Sequence, residues 1–393
     1  MEWKPGQTSN EGAKVPESWI FLHYYDALNV LFRIENALRV LVFLVLKRHY
    51  RGKWQEIGLS SDDQNNTTIG ALAKRRLAQD QAFGYLGYPI TSPLMHLTSG
   101  ELVGLITSES YWKHFKEYFI AAKNVVTLKL QEIGNVRNSL AHFRPVSAGD
   151  VEVVKQNARQ VLTKAEETIG QLAGITNKIP SNTDDSWYRA LVTVGNDLAS
   201  LGFTQSVDEQ WVRISLSYKY PKIGNGYGSE TRKDFKVLNL ITPAILGLFP
   251  SISGNISFLS EAAGFSYARK DPEAVAKKRI GLVFHRQVIS ENFAEVKEGL
   301  EDLLRLIANE TELIQQDNLA RGKIVASADV HAVREEGNEF WKANLSRLLC
   351  PVTPESAPEY WGDFSFRVVD FVSDTESFPW MPVTISAEDD IPF

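Results

Sequence analysis

Between residues 16 and 51 apolar side chains recur three and four positions apart, at Ile20, Tyr24, Leu28, Leu31, Ile34, Leu38, Leu41 and Val45. No Gly or Pro interrupts them, so the spacing predicts one long helix with a buried stripe. Its last turn is basic, with Lys47, Arg48, His49 and Arg51, and Gly52 follows; these residue types suit a helix C-terminus. Residues 60–68 are polar and read as a loop. Thr98 and Glu101 stand at capping-box spacing. A helix starting near Lys123 runs until Pro145 forbids its continuation, and Asp150 can cap another that ends near residue 173.

Past the polar stretch 179–185 the periodicity changes. In 211–220, Val212, Ile214, Leu216 and Tyr218 alternate with Arg213, Ser215, Ser217 and Lys219, which predicts a half-buried strand. Residues 235–241, 265–269, 280–288 and 364–372 read as further strands. A helix capped by Ser290 is predicted to about residue 314, and another over 329–349. The glycine-rich run 224–228 reads as a mobile turn, since neither Lys-Ser/Thr nor a helix start follows it. The expected fold is multidomain, α followed by α+β. Residues 1–16 form a disordered N-terminus, 17–178 an all-α helical bundle, and 184–320 an α+β sensor or regulatory domain. A helix-and-strand extension spans 321–373, and 374–393 trails as a flexible acidic tail.

At 393 residues the chain exceeds what one core usually fills. A net charge of −6 excludes a nucleic-acid coat over the whole surface, so any polyanion must be met by a local patch. The lone Cys350 rules out an internal disulfide and every multi-thiolate zinc site, and suits a reducing, cytoplasmic setting. The longest pure apolar run, 40–46, is far below membrane-spanning length. No His, Asp and Glu grouping has metal-ligand spacing, so neither metal nor cofactor is expected.

The run Arg137-Asn138-Ser139-Leu140-Ala141-His142 carries the candidate chemistry. Cleaving RNA by attack of the ribose 2′-oxygen on phosphorus needs a base, an acid for the leaving 5′-oxygen, and positive charge on the developing phosphorane. An imidazole can do the proton work at neutral pH, a guanidinium can hold the anionic oxygens, and Asn138 can orient a ribose or phosphate oxygen. On a helix Asn138 and His142 lie about 40° apart, whereas Arg137 and His142 lie about 140° apart. One copy therefore does not close around one phosphate. A two-fold axis would bring the Arg of one subunit to the His of the other, which favours a homodimer with a composite site.

The longer pattern 132–145, Glu-Ile-Gly-Asn-Val-Arg-Asn-Ser-Leu-Ala-His-Phe-Arg-Pro, resembles the active-site helix of the HEPN superfamily, small helical bundles many of which are metal-independent ribonucleases. The resemblance covers roughly 17–173 and extends to Glu35-Asn36-Ala37-Leu38-Arg39, Trp54, Trp112 and Phe115. It implies that Arg137 and His142 are the catalytic pair, Asn138 a polar third member, and Glu35 an acidic residue facing the site. Equally, Glu35 can be an intrahelical partner of Arg39. Where some members carry a Tyr two residues after the His, this chain has Arg144, a candidate phosphate ligand alongside Arg39, Lys47 and Arg48. For Lys47 and Arg48 the alternative is a purely helix-terminal role.

The chain ends Glu388-Asp389-Asp390-Ile391-Pro392-Phe393, which resembles the acidic tip of bacterial single-stranded-DNA-binding proteins. Phe393 can fill an apolar pocket, Pro392 lowers the entropy of ordering, and the acids steer toward a basic rim. The expected function is a metal-independent endoribonuclease acting as a toxin or abortive-infection effector against phage, with RNA as substrate. The alternative is a non-catalytic adaptor whose tip, Asp389, Asp390, Ile391, Pro392 and Phe393, docks onto replication or repair proteins that recognise such tips.

Overall fold

The structure, a computed structural model, describes residues 8–9, 12–13, 23–59, 67–82, 92–173, 175, 178–265, 276–317, 321–334, 342–343, 345–363 and 379–380. The docking tip at 388–393 and the strand expected at 364–372 lie outside the described residues. So does most of 1–16, of which β1 (Thr8–Ser9) and β2 (Gly12–Ala13) pair antiparallel.

The first half is helical: α1 (Tyr24–Tyr50), α2 (Ile69–Ala82), α3 (Ser99–Thr107), α4 (Trp112–Phe115), α5 (Lys123–Ala141) and α6 (Ala148–Ala173). From Asn36 to Lys47 every residue of α1 is buried, so this helix is the bundle's centre and not a one-sided amphipathic surface helix. Local chemistry sets the other starts. Thr98 and Glu101 form the expected reciprocal cap of α3. At α6 the cap is Ser147, whose hydroxyl accepts from the Asp150 N–H at 3.2 Å while the Asp150 carboxylate accepts from the Ser147 N–H at 2.8 Å.

The second half comprises α7 (Ser186–Leu191), β3 (Ala199–Gln205), β4 (Trp211–Lys219), β5 (Lys222–Gly228), β6 (Arg232–Leu240), α8 (Ala244–Leu248), α9 (Pro250–Ser253), β7 (Phe258–Phe265), β8 (Ala276–His285), α10 (Arg286–Asp317), β9 (Val325–Val333), β10 (Lys342–Ala343) and β11 (Tyr360–Gly362). Two sheets result, ordered β10-β9-β6-β5 and β11-β7-β8-β4-β3. They pack around a second core that includes Leu216, Leu238, Ile280 and Leu300. At its centre the Lys278 ammonium and Glu261 carboxylate, both fully buried, pair at 2.7 Å.

Several sequence expectations are corrected. Residues 325–333 form β9, which pairs with β6 along its whole length, so its second half, 329–333, is strand in place of the helix expected over 329–349. The glycine-rich run 224–228 lies in β5, paired to β6 with a register shift between Ile223 and Tyr227. The expected strand at 265–269 falls earlier, as β7, and 266–275 lie outside the described residues. The helix expected from Ser290 begins at Arg286 and kinks at Asn292, where φ is −127° and the Arg51 guanidinium donates to the side-chain oxygen.

The halves share one core. Phe43 and Trp54 of the helical half meet Trp361 and Trp380, and Trp361 stacks on Phe258 with ring centroids 3.9 Å apart and planes within 3°. The Glu359 carboxylate at this seam accepts from Lys47 Nζ at 2.6 Å and Trp54 Nε1 at 3.2 Å.

Candidate active site

The helix α5 runs antiparallel to α6 and packs on α1 and α3 through Val126, Leu130, Ile133 and Leu140, the buried positions of its three-and-four repeat. That packing fixes which way its polar residues point. Arg137 faces α1, where its Nε lies 3.9 Å from Glu35 Oε2, with the arginine side chain 39% exposed and the glutamate 16%. The other oxygen of Glu35 is taken by Arg39. Glu35 is thus the i, i+4 partner of Arg39 and also a neighbour of Arg137.

Between α1, α3 and α5 lies a narrow, mostly apolar hollow lined by Glu35, Ser99, Leu130, Gly134 and Arg137. A wider, open depression adjoins it, sharing Ser99, Leu130 and Gly134 and reaching Gly100, Gly104 and Asn138. Nothing lies within 4 Å of where a Cβ on Gly104 or Gly134 would sit, so these glycines keep the floor open. Sequence reading passed over this pair and the Ser99-Gly100 start of α3. Their signal was small residues one turn apart on α3 and one turn before Asn138 on α5.

His142 caps the C-terminus of α5, its N–H bonded to the Asn138 carbonyl at 3.1 Å. Phe143 follows in the left-handed region with φ 54°, and its N–H reaches the Leu140 carbonyl while that of Arg144 reaches the Ser139 carbonyl at 2.8 Å. This is a Schellman closure with Phe where Gly is the usual residue. It leaves the His142 and Arg144 side chains exposed and puts Phe143 outward, 77% exposed. A single protomer therefore gathers Glu35 and Arg137, sets Asn138 in the adjoining depression, and leaves His142 and Arg144 outside both hollows, beyond the last turn.

The remaining basic candidates are occupied elsewhere. Arg39 is buried, and its guanidinium donates to Asn36 at 2.9 Å and to the carbonyls of Leu94 and Leu97 at 3.2 and 3.4 Å. Burial pulls it below the usual guanidinium range, against the opposing charge of Glu35. Lys47 is spent on Glu359 and the Ser253 carbonyl, and Arg48 on Glu117 at 2.5 Å and Gln287 at 3.0 Å. In this structure these three candidate substrate contacts are engaged in the fold and the seam. The aromatic Trp54 is likewise part of the seam.

Among the described residues no three His, Cys, Asp or Glu side chains converge as metal ligands would, and no helix is long and apolar enough to cross a membrane. No protein-family model, curated protein or solved structure matches the chain.

Proposed function

We propose that the protein is a homodimeric, metal-independent endoribonuclease of the HEPN type, serving as a toxin or abortive-infection effector. One observation carries this reading: Arg137 stands half-exposed at an open hollow while His142, five residues on, projects into solvent from a strained helix end. The two groups that the chemistry needs are both accessible, yet they are separated by more than one helix turn along the axis and about 140° around it. A second copy related by a two-fold axis closes that gap, placing the imidazole of one subunit over the guanidinium of the other.

Around Glu35 and Arg137 the surface of α1 is apolar where a surface helix is normally polar, with Leu28 48% and Phe32 43% exposed, two turns and one turn before Glu35 respectively. That rim supplies area for such a contact. In the shared cleft His142 takes the 2′-hydroxyl proton and returns one to the 5′-oxygen, Arg137 neutralises the phosphorane, Asn138 holds a ribose or phosphate oxygen, and Arg144 meets a flanking phosphate. Glu35 keeps Arg137 oriented.

The test is end-group analysis of RNA incubated with purified protein in excess chelator. The expected product carries a 2′,3′-cyclic phosphate, and Arg137→Ala and His142→Ala each lower cleavage by about 100-fold or more. Undiminished cleavage by both variants refutes the site. The terminal tip, Asp389 to Phe393, is proposed as the docking element for proteins that recognise tips of this kind, which a pull-down with and without Pro392 and Phe393 checks.

A further inference from the structure

One face of the five-stranded sheet is packed in the second core through Val212, Ile214, Leu216 and Tyr218 of β4. The opposite face has a different composition. On β4 it presents Arg213, Ser215, Ser217 and Lys219. The register with β3 sets Thr204, Gly202 and Ser200 beside the first three, and the register with β8 sets Gly281, Arg279 and Lys277 beside the last three. Side chains opposite one another on a ladder share a surface. At one end of this face Trp211 and Val283, the latter opposite Arg213, pack in the first core; beyond them hydroxyls and glycines alternate with cations across three strands, and no Asp or Glu stands on this face among the described residues.

Arg213 is its centre. Gly281 opens the slot in which its guanidinium lies, since a Cβ at 281 would come 2.5 Å from Nε and 2.7 Å from one terminal nitrogen. That Nε is buried without a hydrogen-bond partner, and so is the Thr204 hydroxyl directly across the ladder. Burial, and then the charge of Arg279, pull Arg213 below the usual guanidinium range. A desolvated cation with a second cation beside it and no counter-charge is unfavourable, and proteins keep such an arrangement where an anion completes it.

We propose that this face binds a phosphate group, carried by a nucleotide or by an RNA strand, between Arg213 and Arg279. Two guanidinium forks and the hydroxyls of Thr204, Ser215 and Ser217 offer more donors than a carboxylate can accept, and their planar geometry suits phosphate oxygens. Lys219 and Lys277, opposite each other at the far end of the ladder, carry the positive charge about 20 Å from Arg213 along the strand, room for a ligand with more than one phosphate. The site is independent of the cleavage reading, because none of its residues lies in the helical half.

Calorimetric titration of the full chain with ATP, and separately with a 2′-O-methyl oligoribonucleotide that resists cleavage, tests it. Wild type is expected to bind at least one probe, with Arg279→Ala and Arg213→Leu each weakening it tenfold or more. Binding of ATP alone assigns the phosphate to a nucleotide, and binding of the oligomer assigns it to a strand. Arg213→Leu is further expected to raise the melting temperature of the ligand-free protein, since it removes an unpaired buried charge. Failure of both probes to bind, affinity indifferent to the two arginine substitutions, or a ligand-free Arg213→Leu protein that melts lower would each overturn the proposal.

Discussion

Glu35 is shared by two arginines: one oxygen takes Arg39, which is buried, and the other faces Arg137, which is half-exposed, at 3.9 Å. The carboxylate therefore couples the interior of the bundle to the mouth of the hollow. Removing it strands the buried guanidinium and frees the exposed one. For Glu35→Ala we expect a loss of about 2 kcal/mol of stability, since a largely buried cation loses its charged partner but keeps its carbonyl acceptors. We also expect cleavage to fall by roughly tenfold as Arg137 loses its orientation. Urea denaturation and RNA cleavage rates check both. A variant as stable as wild type would show that the carbonyls of Leu94 and Leu97 suffice for Arg39.

A composite cleft makes a prediction that a site within one protomer does not. When inactive Arg137→Ala and His142→Ala proteins are mixed and allowed to exchange subunits, each mixed dimer holds one cleft with both groups intact. Random pairing then restores about a quarter of wild-type cleavage. Absence of any recovery, with exchange verified by differently tagged subunits, would rule out pairing of one imidazole with the partner's guanidinium.

Phe143 pays for its left-handed backbone without burying its ring. Phe143→Gly is expected to raise stability by about 1 kcal/mol, the relief of the left-handed penalty less the added freedom of the unfolded glycine. The same change is expected to lower cleavage, because the chain that presents His142 loses its stiffness. Thermal melts and cleavage assays on the one variant separate the effects, and a drop in melting temperature would contradict the strain.

Acidification should weaken the seam. Burial, aided by Arg48 and His49, holds His285 down to about 3, and burial, aided by His114 and Arg48, holds His49 down to about 4. In the unfolded chain both titrate near 6.5. As pH falls below that value the unfolded state takes up protons that the folded state refuses, so stability is complete above about 6.5 and declines toward pH 4. Urea midpoints at pH 7.5 and 4.5 measure the decline, and His285→Gln is expected to flatten it. A midpoint that does not change over this range would count against both histidines.

What was legible in the sequence was local. The Thr98–Glu101 cap, the long α1 and the alternation of β4 depend on neighbours a few residues away, and spacing alone exposes them. Distant partners left no such trace. Lys47 reads as a dipole-complementing surface cation because its partner, Glu359, is 312 positions along the chain. Lys277, Lys278 and Arg279 are consecutive in the sequence, yet a strand sends alternate residues to opposite faces, burying Lys278 completely while Arg279 stays exposed. β9 was misread because the charged residues after Val333 restore a helical rhythm to a stretch whose strand character rests on pairing with β6. At the site, residue types and spacing pointed to Arg137 and His142, while the hollow itself needed the packing of α3 on α5.

Trp361 and Trp380 come from the far end of the chain, yet they plug the first hydrophobic core beside Phe43 and Trp54. The helical half therefore cannot seal until residues more than 300 positions beyond α1 have been synthesised. Were the proposed cleavage to depend on a properly set α1, it would be withheld from nascent chains until then.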